Sequence, residues 1–525
     1  MSDSNKPAFA FSTTFNSLTQ KKGHAPREQS RDRFSIAMMG NFSGRQNNDD
    51  HANIGERQFI EIDRYNYDDV LASMALKLTL SLSLDQDSNN TVDVALSSLK
   101  DFHPDKLFKN VELFSRLRDL RSRLNNPATF KQAVEELGGF EENEEVPPVA
   151  EVEAVDEPQP QSPVIEEAAG GSFLDSILEE TQNKTGHNDD ISTSAALTEK
   201  ASQSMVDAFI RQLFANKPGV KSRDPRQDEM VATIDEAITL QMRSLLHHTE
   251  FQALESAWRA VYFMVKRIPS DKPLKLYLLD VSQDELACDL NLDDVTQSQL
   301  YRLCCDTSMG DIDWDLIVGD YRFGTNIDDI LMLSQLGFIA QQAGAQFMAA
   351  ADEKLVGCNA FAETSNANKW LTEIEQPVAE AWAILRKSPV AKNISLALPR
   401  FILREPYGKK AAPVKLFSFE EMSQPPQHED YLWGNPAFLK AEQIARTFIK
   451  TGSEMQYAKA INTEDLPVHF YEDAGNPVVK PSAEIPLSET GASKMIAQGL
   501  IPLWSFKDGD MIHSSHFHSI ADNLE

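Results

Sequence analysis

Several groups of residues in this 525-residue chain have types suited to chemistry. His513, His516 and His518 in HSSHFH carry imidazoles two and three positions apart, which could share a metal ion. No carboxylate or thiolate stands beside them at a ligand spacing, and the segment reads as a solvated polar tail. Asp311, Asp313 and Asp315 in DIDWD start like a calcium loop. Such a loop needs glycine sixth and glutamate twelfth, where this chain has Leu316 and Arg322. His247 and His248 are neighbours on an expected helix and point about 100° apart, so they read as packing or surface residues. Glu255 and Arg259 are four apart, an ion-pair spacing. Trp258 between them reads as a core anchor, and Ser256 finds no base at a defined spacing. Arg400, Arg404, Glu405, Pro406 and Tyr407 in LPRFILREPYG put charge at a strand end and read as a turn with a paired arginine. No phosphate-binding G-x-x-x-x-G-K-[ST] or G-x-G-x-x-G string occurs. Gly40 and Gly44 bracket a polar turn instead. The expectation is therefore no catalytic, cofactor-binding or metal residues, and no enzyme.

Bulk composition agrees with a soluble folded protein. Hydrophobic residues make up 41% of the chain and charged residues 25%. The net charge of −30 repels nucleic acid and anionic lipid alike. Cys288, Cys304, Cys305 and Cys358 form no C-x-x-C pair, which points to a reducing compartment. No apolar signal core opens the chain, and no run nears the ~20 apolar residues that span a bilayer. A cytoplasmic protein without direct membrane insertion is expected.

The elements alternate in type. RFSIAMMG, QFIEIDR and TVDVALSSL read as strands. Tyr65 to Leu76 reads as a helix with Val70, Met74 and Leu78 on one stripe. Pro104 opens another, with Leu113, Leu117, Leu120 and Leu124 as its stripe. Helices follow at FLDSILEE, around Val206 to Leu213, from Asp228 to His248, and around Leu254 to Val265. After Pro269 come strand candidates LKLYLLDVS, WDLIVGDYRF, AQFMAAA and NISLALPRFILR. Helices at Asp328–Gln342 and Ser365–Lys387 lie between them, the latter kinked at Pro377.

The fold class expected is α/β (α+β mixed), with two domains joined by an acidic, proline-rich linker. Residues 1–30 read as disordered and 31–140 as a first domain. Residues 141–170 hold ten acidic residues, five prolines and no basic one, so 141–171 reads as an extended linker. Residues 172–508 form the second domain and 509–525 a polar tail.

From Phe173 to about Trp504 the chain resembles the large subunit of the type VI secretion contractile sheath, the TssC or VipB family. Ten strings carry the likeness in order. FLDSILEET comes first, then LLHHTEFQALESAWRAVYFMV, centred on Glu255, Ser256, Trp258 and Arg259. LYLLDVSQDEL, LIVGDYRF, FMAAADEKLVG and LALPRFILREPYG follow. DYLWGNPAF, LPVHFY, PSAEIPLSE and GLIPLWSFKDGD complete the series. Residues 31–137 resemble the small subunit, TssB or VipA, through RFSIAMMGNFSGR, QFIEIDRYNYDDVLASM and LKDFHPDKLFKNVELFSRLRDLR. The resemblance implies a fused structural component that works by protein–protein assembly and contraction. It implies other sheath subunits as partners, with the Hcp inner tube, baseplate proteins and a ClpV-type ATPase as further candidates. The large subunit of the family continues past GLIPLWSFKDGD, whereas this sequence stops at Glu525. A cap, adaptor or regulator unable to polymerise is the alternative expectation.

Overall fold

The computed structural model describes residues 33–44, 53–82, 91–126, 128–137, 223–270, 272–306, 312–452, 461–506, 509–514 and 516–522. The acidic linker and the expected helices at FLDSILEE and Val206 to Leu213 lie outside them. The strands are β1 (Phe34–Gly40), β2 (Ile60–Ile62), β3 (Leu76–Ser81), β4 (Thr91–Leu96), β5 (Leu274–Asp280), β6 (Leu316–Phe323), β7 (Gln346–Ala351) and β8 (Ile394–Leu398). After them come β9 (Phe401–Ile402), β10 (Trp433–Gly434), β11 (Ile461–Thr463), β12 (His469–Asp473), β13 (Asn476–Lys480), β14 (Leu500–Ser505) and β15 (Ile512–Ser514). The α-helices are α1 (Tyr67–Ser73), α2 (Pro104–Asn110), α3 (Ser115–Asn125), α4 (Phe130–Glu136), α5 (Arg223–Leu246) and α6 (Thr249–Arg267). The rest are α7 (Gln283–Leu290), α8 (Gln299–Cys305), α9 (Ile327–Ala343), α10 (Gln376–Lys387), α11 (Pro436–Thr451) and α12 (Glu489–Ala497).

Contacts divide the chain into two units, Met1–Arg121 with Ala232–Glu525, and Ser122–Val231. In the smaller unit Ala133 and Met230 are buried, and Gln227 Nε2 donates to the Leu124 carbonyl at 2.8 Å. The larger unit holds a nine-stranded sheet, in the order β11-β15-β14-β8-β7-β6-β1-β5-β2. From β14 to β5 every pair is parallel. β2, β15 and β11 each pair antiparallel with their inner neighbour. β1 lies between β5 and β6 and is buried at all seven positions. A parallel strand covered on both faces reads as a near-continuous apolar run, and FSIAMMG does so with Ser35 as its polar exception. Strands from the first sequence block therefore share one sheet with strands from the second.

Alternate strand residues face opposite sides of a sheet. Ala37, Met39, Leu279, Ile317, Phe347, Ala349 and Leu396 join α9 in one continuous core. The other parity, Ile36, Met38, Leu278, Val318 and Met348, is buried too, and α11 packs against β6, β7 and β8. α9 reaches the sheet so closely that a Cβ on Gly337 would stand 2.5 Å from Ile394 Cδ1.

Five local readings change. α1 ends at Ser73, and Leu78 belongs to β3. Leu76, Leu78 and Leu80 alternate with polar residues, and a spacing of four fits both periods. The helix opened by Pro104 stops at Val111, whose backbone is extended, before α3 begins. α10 starts only at Gln376, so Pro377 sits in its first turn and kinks nothing. The chain leaves β8 at Leu398, and Pro399, without an N–H, separates it from β9, which pairs with β10. The segment read as a solvated tail is built into the sheet. β15 pairs with β14 and β11, Ile520 is fully buried, and its N–H donates to the Ile394 carbonyl at 2.9 Å. Ile512 and Ile520 anchor it despite the surrounding histidines and serines.

Gly337→Val should lower stability by about 1–3 kcal/mol through overpacking. Urea unfolding followed by circular dichroism measures it, and an unchanged midpoint would contradict the close approach of α9 to β8.

Candidate functional site

Among the described residues of the larger unit is a buried ion network centred on Arg404. α6 presents Glu255 and Arg259 one turn apart. Glu255 is fully buried, and its Oε1 accepts from Arg259 Nε at 2.7 Å and from Arg404 Nε at 2.8 Å. Arg404 follows β9 and reaches a second buried carboxylate, Glu421. Its Nη1 donates to Glu421 Oε2 at 2.7 Å and its Nη2 to Oε1 at 2.8 Å. The guanidinium also lies over the Tyr407 ring at 4.1 Å, and Arg259 Nη2 donates to the Tyr407 hydroxyl at 3.0 Å. The Tyr407 N–H closes the set on Glu421 Oε2 at 2.6 Å.

Burial opposes every charge in this set, so the pairing must outweigh it. Burial lowers the affinity of Arg404 for its proton, but Glu255 and Glu421 reverse that and hold it well above the usual arginine value. Burial likewise raises Glu421, and Arg404, His247 and the Tyr407 N–H bring it down to about 2. Both carboxylates accept hydrogen bonds from Arg404. The arrangement clamps α6 to the segment 404–421.

The same region ties in the first sequence block. Trp258 Nε1 donates to the Phe42 carbonyl at 2.8 Å, and the Tyr67 hydroxyl donates to the Trp258 carbonyl at 2.8 Å. Phe102 packs edge-on to Phe251, and the His103 ring packs against Tyr407 with centroids 4.9 Å apart. Asp105 accepts from the Lys415 and Leu416 N–H groups at 3.1 and 3.0 Å.

A second cluster sits beside β9. Glu484 is buried and accepts from Arg400 Nη2 at 2.7 Å, while His428 Nε2 lies 3.0 Å away. Burial pushes Glu484 up, yet His428 and Arg400 pull it down to about 2.

The residues singled out by type fall in different places. Arg400 and Arg404 are both paired, each in its own cluster. His247 belongs to the network, with Nδ1 3.1 Å from Asp430 Oδ1 and Nε2 3.8 Å from Glu421 Oε1. Ser256 donates to the Trp433 carbonyl at 2.8 Å. Asp315 accepts from the Ser35 N–H at 2.8 Å at the start of β6, and Asp311 lies outside the described residues. His513 Nδ1 is 2.8 Å from Asn462 Oδ1, and the His518 carbonyl accepts from Ser395 Oγ at 2.9 Å. Among the described residues no three metal-ligating side chains converge. Sequence reading missed Glu421 and Asp105, because one acidic residue in a loop or first turn gives no periodic signal.

Comparison with known proteins follows the same outline. Residues 228–520 match the family model VipB, described as EvpB/VC_A0108, tail sheath N-terminal domain. Residues 27–143 match the model described as type VI secretion system, VipA, VC_A0107 or Hcp2. The type VI secretion system sheath protein TssC1 of Pseudomonas aeruginosa PAO1 is 30% identical over 301 residues, 54% of this chain and 59% of that protein. The chain thus matches less than two thirds of that relative's length.

Arg404→Ala should cost about 3–5 kcal/mol at pH 7, because it removes the cation that two buried carboxylates share. A carboxylate depressed from 4.5 to about 2 gives stability that is present above 4.5 and lost as pH falls towards 2. The gap between variant and wild type in urea unfolding should therefore narrow across that window. A gap independent of pH would contradict the ionic account.

Proposed function

The chain belongs to the type VI secretion tail sheath family, with a VipA-type region fused ahead of its sheath domain, and from that premise we propose that it is a structural, non-enzymatic subunit of a contractile sheath. The observation that carries this reading is the place of β1. It pairs with β5 over seven positions and with β6 over four, so the small-subunit-like block completes the sheet of the large-subunit-like block. One chain supplies what the two kinds of subunit would supply together.

Contraction of such a tube needs rigid protomers that shift against one another, since packed interfaces are bistable rather than continuously deformable. The Arg404 and Glu484 clusters suit that demand, because the first fastens a loop to α6 and the second fastens loops to one another beside β9. The energy would reside in contacts between protomers, and no bond chemistry in this chain is required. Other sheath subunits are the partners this reading requires. An inner tube, a baseplate and a disassembling ATPase are partners it proposes. Among the described residues no helix is long and apolar enough to cross a membrane. Together with the cysteine usage, this supports the proposal that the protein works in the cytoplasm.

Negative-stain microscopy of the purified chain, alone and mixed with sheath subunits from the same cell, tests the reading. Tubes containing this chain along their length are the expected result. Particles that never enter a tube in either sample would contradict it, and decoration confined to tube ends would replace it with a cap.

A further inference from the structure

The histidines near the end of the sequence belong to a basic cluster that the sheath reading leaves unused. Lys440 of α11 is 1% exposed, and its Nζ donates to Ser514 Oγ of β15 at 2.8 Å. Ser514 is fully buried and donates to Gln443 Oε1 of α11. Gln443 Nε2 in turn donates to Thr463 Oγ1 of β11 at 3.1 Å. Beside Ser514, the His513 ring packs against Trp504 with centroids 5.5 Å apart. Further on, the His518 carbonyl is held by Ser395 of β8. His518 Nδ1 lies 3.2 Å from the Ser519 carbonyl, which can only accept, so the ring proton sits on Nδ1. His518 Nε2 is enclosed and meets no hydrogen-bond partner among the described residues.

The carboxylates of these elements are engaged with arginines. Glu442 pairs with Arg446 on α11, and Asp522 pairs with Arg386 of α10 at 2.7 Å. Arg267 of α6 and Lys450 also lie around Glu442. On α6, Glu255 and Arg259 pair with each other, and Asp320 of β6 is bonded to Asn435 at the start of α11. β7 and β8 carry no titratable residue. His516 adds a further imidazole beside His518.

We infer that residues 509–514 and 516–522 form a proton-sensitive latch, docked on α11 and β8 while Lys440 and His518 are neutral and released when they take up protons. A proton on His518 Nε2 would place a charged donor where the described residues offer no acceptor. A charge on Lys440 would be buried among other basic groups. Burial draws the Lys440 ammonium down to about 7. It also lowers His513 and His518 below the usual histidine value, and the Lys440 charge adds to both shifts. A base depressed in the docked state favours docking most at high pH. For Lys440 the loss runs from 10.5 down to about 7, roughly tenfold per pH unit, and for His518 it continues below 6.5. The inference goes beyond the sheath reading and does not depend on it.

Hydrogen exchange of the intact chain across this pH range, corrected for intrinsic exchange rates, tests it, with Ile36–Met39 of β1 as internal reference. Protection of Ile512, Ser514 and Ile520 relative to that reference should fall about tenfold or more between pH 8.5 and pH 7 in wild type. In Lys440→Met that fall should disappear. If Lys440→Met is unfolded by circular dichroism, Lys440→Gln takes its place. A wild-type ratio that stays constant with pH overturns the inference, and so does an undiminished fall in the folded variant. Tube formation is scored separately by microscopy, so failure of the sheath reading would not be mistaken for failure of the latch.

Discussion

The structure depends on one placement: β1 must lie between β5 and β6. A central parallel strand needs a hydrogen-bonding neighbour on each side and cover on both faces. Phe34–Gly40 receives both, and in return it completes the ladders of β5 and β6. Without β1, those two strands would each present an unpaired apolar edge in the middle of the molecule. The first block is thus an internal part of the sheet, although some 230 residues of sequence separate β1 from β5.

The second layer of organisation is polar. The Trp258 indole N–H meets the Phe42 carbonyl just past β1, and one residue after Trp258 the Arg259 side chain enters the Arg404 network. α6 is therefore bound to the first block on one turn and to the 404–421 segment on the same turn. A buried ion network adds little net stability over apolar packing, but breaking one member is costly. It is suited to fixing a single arrangement of loops. That is the demand a lattice that transmits force would place on its protomer.

Much of this was legible in the sequence. FSIAMMG, LKLYLLD and LIVGDYRF read as strands because buried parallel strands leave long apolar runs. The Glu255–Arg259 spacing announced an ion pair, and Trp258 announced a core anchor. Other features were not legible. Nothing local in FSIAMMG states that its neighbours lie more than 200 residues downstream, because a strand pairs through backbone groups that every residue carries. The segment 65–81 deceived because Val70, Met74 and Leu78 fit period four while Leu76, Leu78 and Leu80 fit period two. Isolated carboxylates such as Glu421 and Asp105 gave no pattern at all. The histidines near the end suggested a polar tail, and two isoleucines decided otherwise.

The most direct measurement is to express residues 1–140 and 172–525 as two separate chains in one cell, with a purification tag on the first only. If β1 completes the sheet, the untagged chain will copurify in equal amount and the pair will separate only in denaturant. Each chain made alone will then fail to give a stable folded protein. Two fragments that fold and purify independently, with no affinity for each other, would contradict the account.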